Sequence, residues 1–140
     1  MVDFQYKDSY GVKDLEEIVR ILRAPGGCPW DAEQTHQSIR RNFLEEAYEA
    51  VEAIDEGSPE HLEEELGDVL LQVVMHARME LEAGRFALDG VADGICKKLI
   101  YRHPPVFGDV AVSGTGEGLS NWEALKRKEK GQATNTDALE

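Results

Sequence analysis

The chain has 140 residues, with 15 Lys plus Arg against 28 Asp plus Glu, for a formal net charge of -13. That balance argues against partners recognised through clustered positive charge, so neither nucleic acid nor an anionic membrane surface is expected. With 41% hydrophobic and 31% charged residues it reads as one globular domain, expected over 1–130, followed by a flexible tail over 131–140. Cys28 and Cys96 stand far apart, with no CxxC or Cys/His ligand spacing. Two free thiols in a reducing cytoplasm are expected, and no zinc site. The polar, acid-bearing N-terminus reads as neither a signal nor a transit peptide. The most apolar run, Val69 to Met75, is far too short to span a bilayer.

The first predicted helix is 12–23, with Val12, Leu15, Ile18, Val19 and Leu22 at helical spacing. Pro25-Gly26-Gly27 ends it. After the loop Cys28-Pro29-Trp30-Asp31, a second helix begins near Glu33 or Thr35 and runs to about Glu56, stopping at Gly57. Ser58-Pro59 restarts the chain as a third helix, with Ser as N-cap and Pro at the first helical position. It continues to about Ala83 and ends at Gly84. A fourth spans roughly 89–102 and is closed by His103-Pro104-Pro105. Residues 106–119 read as a Gly-rich loop. Ser120-Asn121-Trp122-Glu123 then forms a capping box for a fifth helix to about Lys130. No strand pattern is present. The expectation is an all-α bundle of about five helices, two of them long, antiparallel and joined by a tight turn. The third helix is apolar nearly all round at Leu70, Leu71, Val73, Val74 and Met75. In so small a bundle this suggests a homodimer covering the far face.

From Asn42 to Ala77 there are eleven acids and no Lys or Arg. Like charges at i,i+4 cost roughly 0.2–0.5 kcal/mol each, so this hairpin opposes its own stability unless something positive arrives. On the second helix the apolar stripe is Ile39, Phe43, Ala47, Ala50, Val51 and Ile54, with Glu46 at its edge and Glu49 one step further round. On the third, Glu65 and Asp68 stand beside Leu62, Leu66 and Val69. Two antiparallel helices packed by these stripes would turn the four carboxylates toward one space. Either some pKa values rise there or a cation is held. All-oxygen ligands suit Mg²⁺, Mn²⁺ or Ca²⁺. Spacing alone leaves open a second reading, surface acids that merely keep the chain soluble. Similarly, Trp30 is either a loop lid that stacks on a base or a plug at the end of the bundle. Lys97, Lys98 and Arg102, within about one helical turn, are either phosphate contacts or a polar surface. Lys126, Arg127, Lys128 and Lys130 are accounted for by the helix dipole alone. His36, His61, His76 and His103 share no ligand spacing and read as structural or exposed.

The ordered blocks EExxE at 45–49 and ExxD at 65–68 resemble the MazG family of nucleoside triphosphate pyrophosphohydrolases. So do the flanks CPWDAEQTHQSI (28–39), EEELGDVLLQVVMHA (63–77), EAGRF (82–86), KLIYRHPPVFGD (98–109) and NWEALKRKEK (121–130). The resemblance covers nearly everything from 13 to 130. It implies an all-α fold, Mg²⁺ dependence with Mn²⁺ as a substitute, and hydrolysis of a (d)NTP to its monophosphate plus pyrophosphate by water attack at the α-phosphorus. Carried over by position, Glu46, Glu49, Glu65 and Asp68 would hold metal. Glu46 and Glu49, with Glu45 as a nearby acid of unassigned role, would be the catalytic acids. Lys98 and Arg102 would meet the phosphates and Trp30 the base. Many members carry two such domains in tandem, and the CPWD and RHPPVF blocks look most like the first of them. The two copies need not be equally active. The alternative expectation is therefore a catalytically weak module that binds nucleotide or a partner through the same bundle.

Overall fold

The computed structural model describes residues 2–108. The fifth helix expected at 120–130, the tail 131–140 and most of the loop 106–119 lie outside the described residues. The chain divides into two compact units, Met1–Leu88 and Asp89–Glu140.

All regular structure among the described residues is helical. The first unit holds α1 (Val12–Arg23), α2 (Pro29–Ala32), α3 (Arg40–Glu56) and α4 (Pro59–Glu82). Nearly all of α5 (Leu88–Tyr101), and α6 (Pro104–Phe107), lie in the second. The long antiparallel pair is α3 and α4; α4 also packs on α1, and α2 packs on α1. The core is Val19 from α1, Ile39 at the start of α3, and Val74, Met75 and Met79 from the C-terminal half of α4, with Leu15, Leu71 and Leu88 packed around it.

Helix ends follow local chemistry. The Asp14 carboxylate accepts the Gly11 N–H at 2.8 Å and opens α1. Ser58 Oγ accepts the His61 N–H at 3.2 Å and Pro59 occupies the first turn of α4, as its sequence predicts. Gly57 closes α3 in the left-handed region at φ 74°, its N–H donating to Ala53 and Ile54 carbonyls.

Three expectations are corrected. The second predicted helix starts later than expected. The loop predicted at Cys28-Pro29-Trp30-Asp31 instead holds the short helix α2, and Thr35 and Ser38 then exchange side-chain-to-backbone hydrogen bonds at 2.8 and 3.1 Å. That closed polar turn competes with helical pairing, so regular α3 begins only at Arg40. Next, the stripe assigned to α3 packs only in part. Its Ile39 and Ala50 are buried, as is Ala53 outside it, whereas its Phe43, Val51 and Ile54 are exposed. Small residues let the two helices approach closely, and the large ones are left on the outer face. Finally, His103-Pro104-Pro105 does more than end a helix: Pro104 takes the first position of the single turn α6.

Candidate functional site

The α3–α4 hairpin places two pairs of acids, three apart on each helix, on facing flanks. Carboxylate oxygens of Glu46, Glu49 and Glu65 lie within 4.8 Å of one another. Asp68 stands outside that group, but its charge acts on Glu46. Glu65 is only 7% exposed, and its Oε1 is buried without a hydrogen-bond partner among the described residues. Glu46 is half-buried and its pKa is pushed up to about 7. Loss of hydration is the largest cause. The hydrogen bond that its protonated form shares with Glu49 comes next, and repulsion from Asp68, Glu49 and Glu65 follows. The site thus holds more negative charge than it can keep ionised by itself.

A divalent cation fits this donor set. The oxygens are hard and convergent, one buried oxygen lacks any donor, and one acid keeps a proton that a cation would displace. A second group overlaps the first: His61, Glu64 and Glu65 also bring ligand atoms within 4.8 Å of one another.

The remaining sequence candidates are dispersed. Glu45 is exposed and belongs to neither group. Trp30 sits in α2 with its side chain 66% exposed, so within this chain it does not plug the bundle. Lys98 is exposed on α5, and Arg102 is half-buried just past its end, its N–H bonded to the Lys98 carbonyl. Both belong to the second unit.

Three clusters escaped the sequence reading, two of them because they join residues far apart in the chain. The rings of His36 and His76 stack at 4.9 Å, with their Nδ1 atoms 2.6 Å apart. His36 Nε2 reaches Glu80 at 2.5 Å, and Arg85 donates to the same carboxylate at 2.6 Å. Arg85, then His36, hold the Glu80 pKa down at about 2. Burial, then the neighbouring His36, lowers that of His76. Beside this pair, Arg40, Phe43, Leu44, Ala47 and His76 line an open apolar groove of ≈ 380 Å³. Arg23 is the second case. Its guanidinium donates to the Asp31 and Gln34 carbonyls at 2.8 and 3.0 Å and to both oxygens of Glu82, tying the α2 segment to the end of α4. His61 is the third: its Nδ1 lies 2.7 Å from Glu56 and its Nε2 3.3 Å from Glu65. Hydrogen bonding to Glu56 is the main reason its pKa is raised. An i,i+3,i+4 pattern of His61, Glu64 and Glu65 was the one available signal, hidden in a helix already dense with acids.

Comparison with known proteins gives the same picture from another side. Residues 34–107 match the MazG nucleotide pyrophosphohydrolase domain. The Thermotoga maritima nucleoside triphosphate pyrophosphohydrolase/pyrophosphatase MazG is 47% identical over 120 residues, 86% of this chain and 46% of that protein. The Escherichia coli K12 nucleoside triphosphate pyrophosphohydrolase is 43% identical over 127 residues, 90% of this chain and 48% of its own length. Bacillus subtilis YabN, named as uncharacterized, is 51% identical over 116 residues, 83% of this chain and 24% of that protein. The chain thus spans between a quarter and a half of the length of these relatives. The matched segment runs from just after α2 through α6 and contains both carboxylate pairs, and the chain belongs to the MazG nucleotide pyrophosphohydrolase domain family.

Proposed function

We propose that this chain is a metal-dependent nucleoside triphosphate pyrophosphohydrolase, hydrolysing a (d)NTP to the monophosphate and pyrophosphate. The observation that carries the reading is the convergence of Glu46, Glu49 and Glu65, with the buried Glu65 Oε1 lacking a donor among the described residues. Relatives named for this activity support it. Glu46, Glu49, Glu65 and Asp68 would hold Mg²⁺, with Mn²⁺ as a substitute. When bound, the cation neutralises phosphate charge and raises the electrophilicity of the α-phosphorus.

The chain's own residues then have defined tasks. Protonated Glu46 donates a hydrogen bond to Glu49, and once that proton has left, Glu46 can accept the proton of an attacking water. Glu45, exposed beside them, is available to pass that proton to solvent. Lys98 and Arg102 are assigned to the phosphates and Trp30 to the base. An exposed ring in α2 is free to stack, which supports the last assignment. The working form is a homodimer, supported by the exposed apolar face of α3. The net charge of -13, and the lack of any helix among the described residues long and apolar enough to cross a membrane, support a cytoplasmic role in the nucleotide pool without nucleic acid or membrane partners.

Product analysis on a panel of NTPs and dNTPs tests this. Monophosphate and pyrophosphate should appear only with the divalent cation. Glu49→Gln should lower turnover by at least about 100-fold, equivalent to roughly 2.7 kcal/mol of transition-state stabilisation. Turnover retained in that variant would remove the carboxylates from the chemistry. The same exposed face of α3 supports the second reading, a binding and dimerisation module. In that case nucleotide and metal raise the melting temperature but no product forms.

A further inference from the structure

The ring of His61 is held in a way the four-carboxylate reading does not use. It projects from the first turns of α4, and its Nδ1 lies 2.7 Å from Oε1 of Glu56, the last residue of α3. A carboxylate accepts but cannot donate, so Nδ1 carries hydrogen. In the neutral ring Nε2 is then left with a lone pair. That nitrogen faces Glu65 Oε2, 3.3 Å away.

Facing each other, these two atoms need positive charge, either a proton on Nε2 that makes an ion pair with Glu65 or a metal cation. Glu65 makes the demand stronger. It is more than nine-tenths buried, and its other oxygen has no hydrogen-bond partner among the described residues. Glu64, exposed on the same flank, brings a third ligand atom within 4.8 Å of the other two. A histidine whose far nitrogen donates to a carboxylate is the usual orientation of a metal-ligating imidazole.

We propose that His61, Glu64 and Glu65 form a second cation site, oriented by Glu56, that takes a transition-metal dication such as Zn²⁺ or Co²⁺. One imidazole nitrogen and two carboxylates favour such an ion over Mg²⁺, which prefers oxygen alone. Glu65 belongs to both groups. It has one oxygen facing His61 and one unpartnered, so it can bridge a softer ion to a harder one. An ion at His61 would thus set the position of a carboxylate in the neighbouring site. This inference does not require the pyrophosphohydrolase reading, because His61, Glu64 and Glu56 are outside the four carboxylates that reading uses and only Glu65 is shared.

The test is a zinc titration of the full chain in excess Mg²⁺, followed by long-range ¹H–¹⁵N spectra of the histidine rings. The His61 signals are identified by their loss in His61→Gln. The His61 Nε2 resonance should move to a metal-bound position and saturate at one zinc per chain. His61→Gln should weaken zinc binding at least about tenfold, and Glu56→Gln by a smaller factor, as loss of an orienting partner does. Glu49→Gln should leave zinc affinity within about threefold while weakening Mg²⁺. Melting curves of the metal-free variants establish that each is folded. An unmoved His61 signal, or unchanged zinc affinity in His61→Gln, would overturn the proposal and leave the ring as a simple imidazolium partner of Glu56 and Glu65. Equal loss in Glu49→Gln and His61→Gln would also overturn it, reducing the two sites to one. Failure of the catalytic reading has a different signature, turnover surviving in Glu49→Gln, and would leave the zinc result intact.

Discussion

A carboxylic acid that keeps its proton to about pH 7 makes the folded state sensitive to pH in a window where most acids are silent. For Glu46 the folded value is about 7 against an ordinary 4.5. Between those values the native chain holds a proton that the unfolded chain has released, so stability contributed by this group falls as pH rises through the window. Other groups titrate nearby and in both directions. His61, with its raised pKa, adds to the fall, and His76, with its lowered pKa, opposes it. The informative quantity is therefore the difference between wild type and Glu46→Gln. The variant is neutral throughout, so above pH 7 its metal-free melting temperature should exceed that of wild type by a few degrees, and near pH 4.5 the two should converge. Mg²⁺ should raise the melting temperature of wild type at pH 8 and leave the variant nearly unmoved. A parallel pair of pH curves would show that Glu46 does not carry the strain.

At the scale of the element, boundaries set by side-chain caps and glycines were legible, and those set by tertiary contact were not. The limits of α1 and the Ser58-Pro59 start of α4 follow from periodicity and capping alone. The turn at 35–38 required seeing that Thr35 and Ser38 satisfy each other's backbone N–H groups, which a helix-favouring pattern hides. The packing face of α3 was read only in part, with Ala53 missed because alanine carries almost no hydrophobic signal. Ala53 is fully buried, while the far more hydrophobic Ile54 beside it is 59% exposed.

Two glycines separate backbone conformation from backbone approach. Gly57 needs a left-handed φ of 74° at the hairpin turn but has open space around it. Gly57→Ala should cost about 1 kcal/mol. Gly27 has no such φ, but an added Cβ would meet the Ile21 carbonyl oxygen at 2.0 Å and the Leu22 oxygen at 2.7 Å. There the Cys28 N–H also bonds back to the Leu22 carbonyl, fixing the α1–α2 junction. Gly27→Ala should cost more, about 2–3 kcal/mol, because backbone cannot move aside as a flexible side chain can. Chemical denaturation of the two variants orders them, and an equal or reversed order would mean the junction gives way more easily than the turn.

At the scale of the whole molecule, the uncovered part of the α3 stripe becomes an argument about assembly. Sequence periodicity identified a stripe on α3 that must be covered, and within the single chain its Phe43, Val51 and Ile54 stay exposed. Leu44, Tyr48, Val51 and Ile54 remain exposed along α3, as do Leu66 and Leu70 on α4. A single chain does not normally leave so many large apolar residues of one hairpin in water. Glu46 and Glu65 converge inside the hairpin, while Glu52 and Asp55 on α3 and Glu63 on α4 stay exposed beside these apolar residues. A second copy meeting the first about a two-fold axis would bury this face against itself and complete a four-helix bundle from two hairpins. The expectation is that wild type sediments as a dimer and that Val51→Glu shifts it to a monomer, since two like charges would then meet near the axis. Because Val51 is already half exposed in the single chain, the monomeric variant should keep its helical circular dichroism. A Val51→Glu protein that remains dimeric would place the interface elsewhere. A wild type that is monomeric at micromolar concentration would leave the outer face of α3 to a different protein or to another segment of a longer chain.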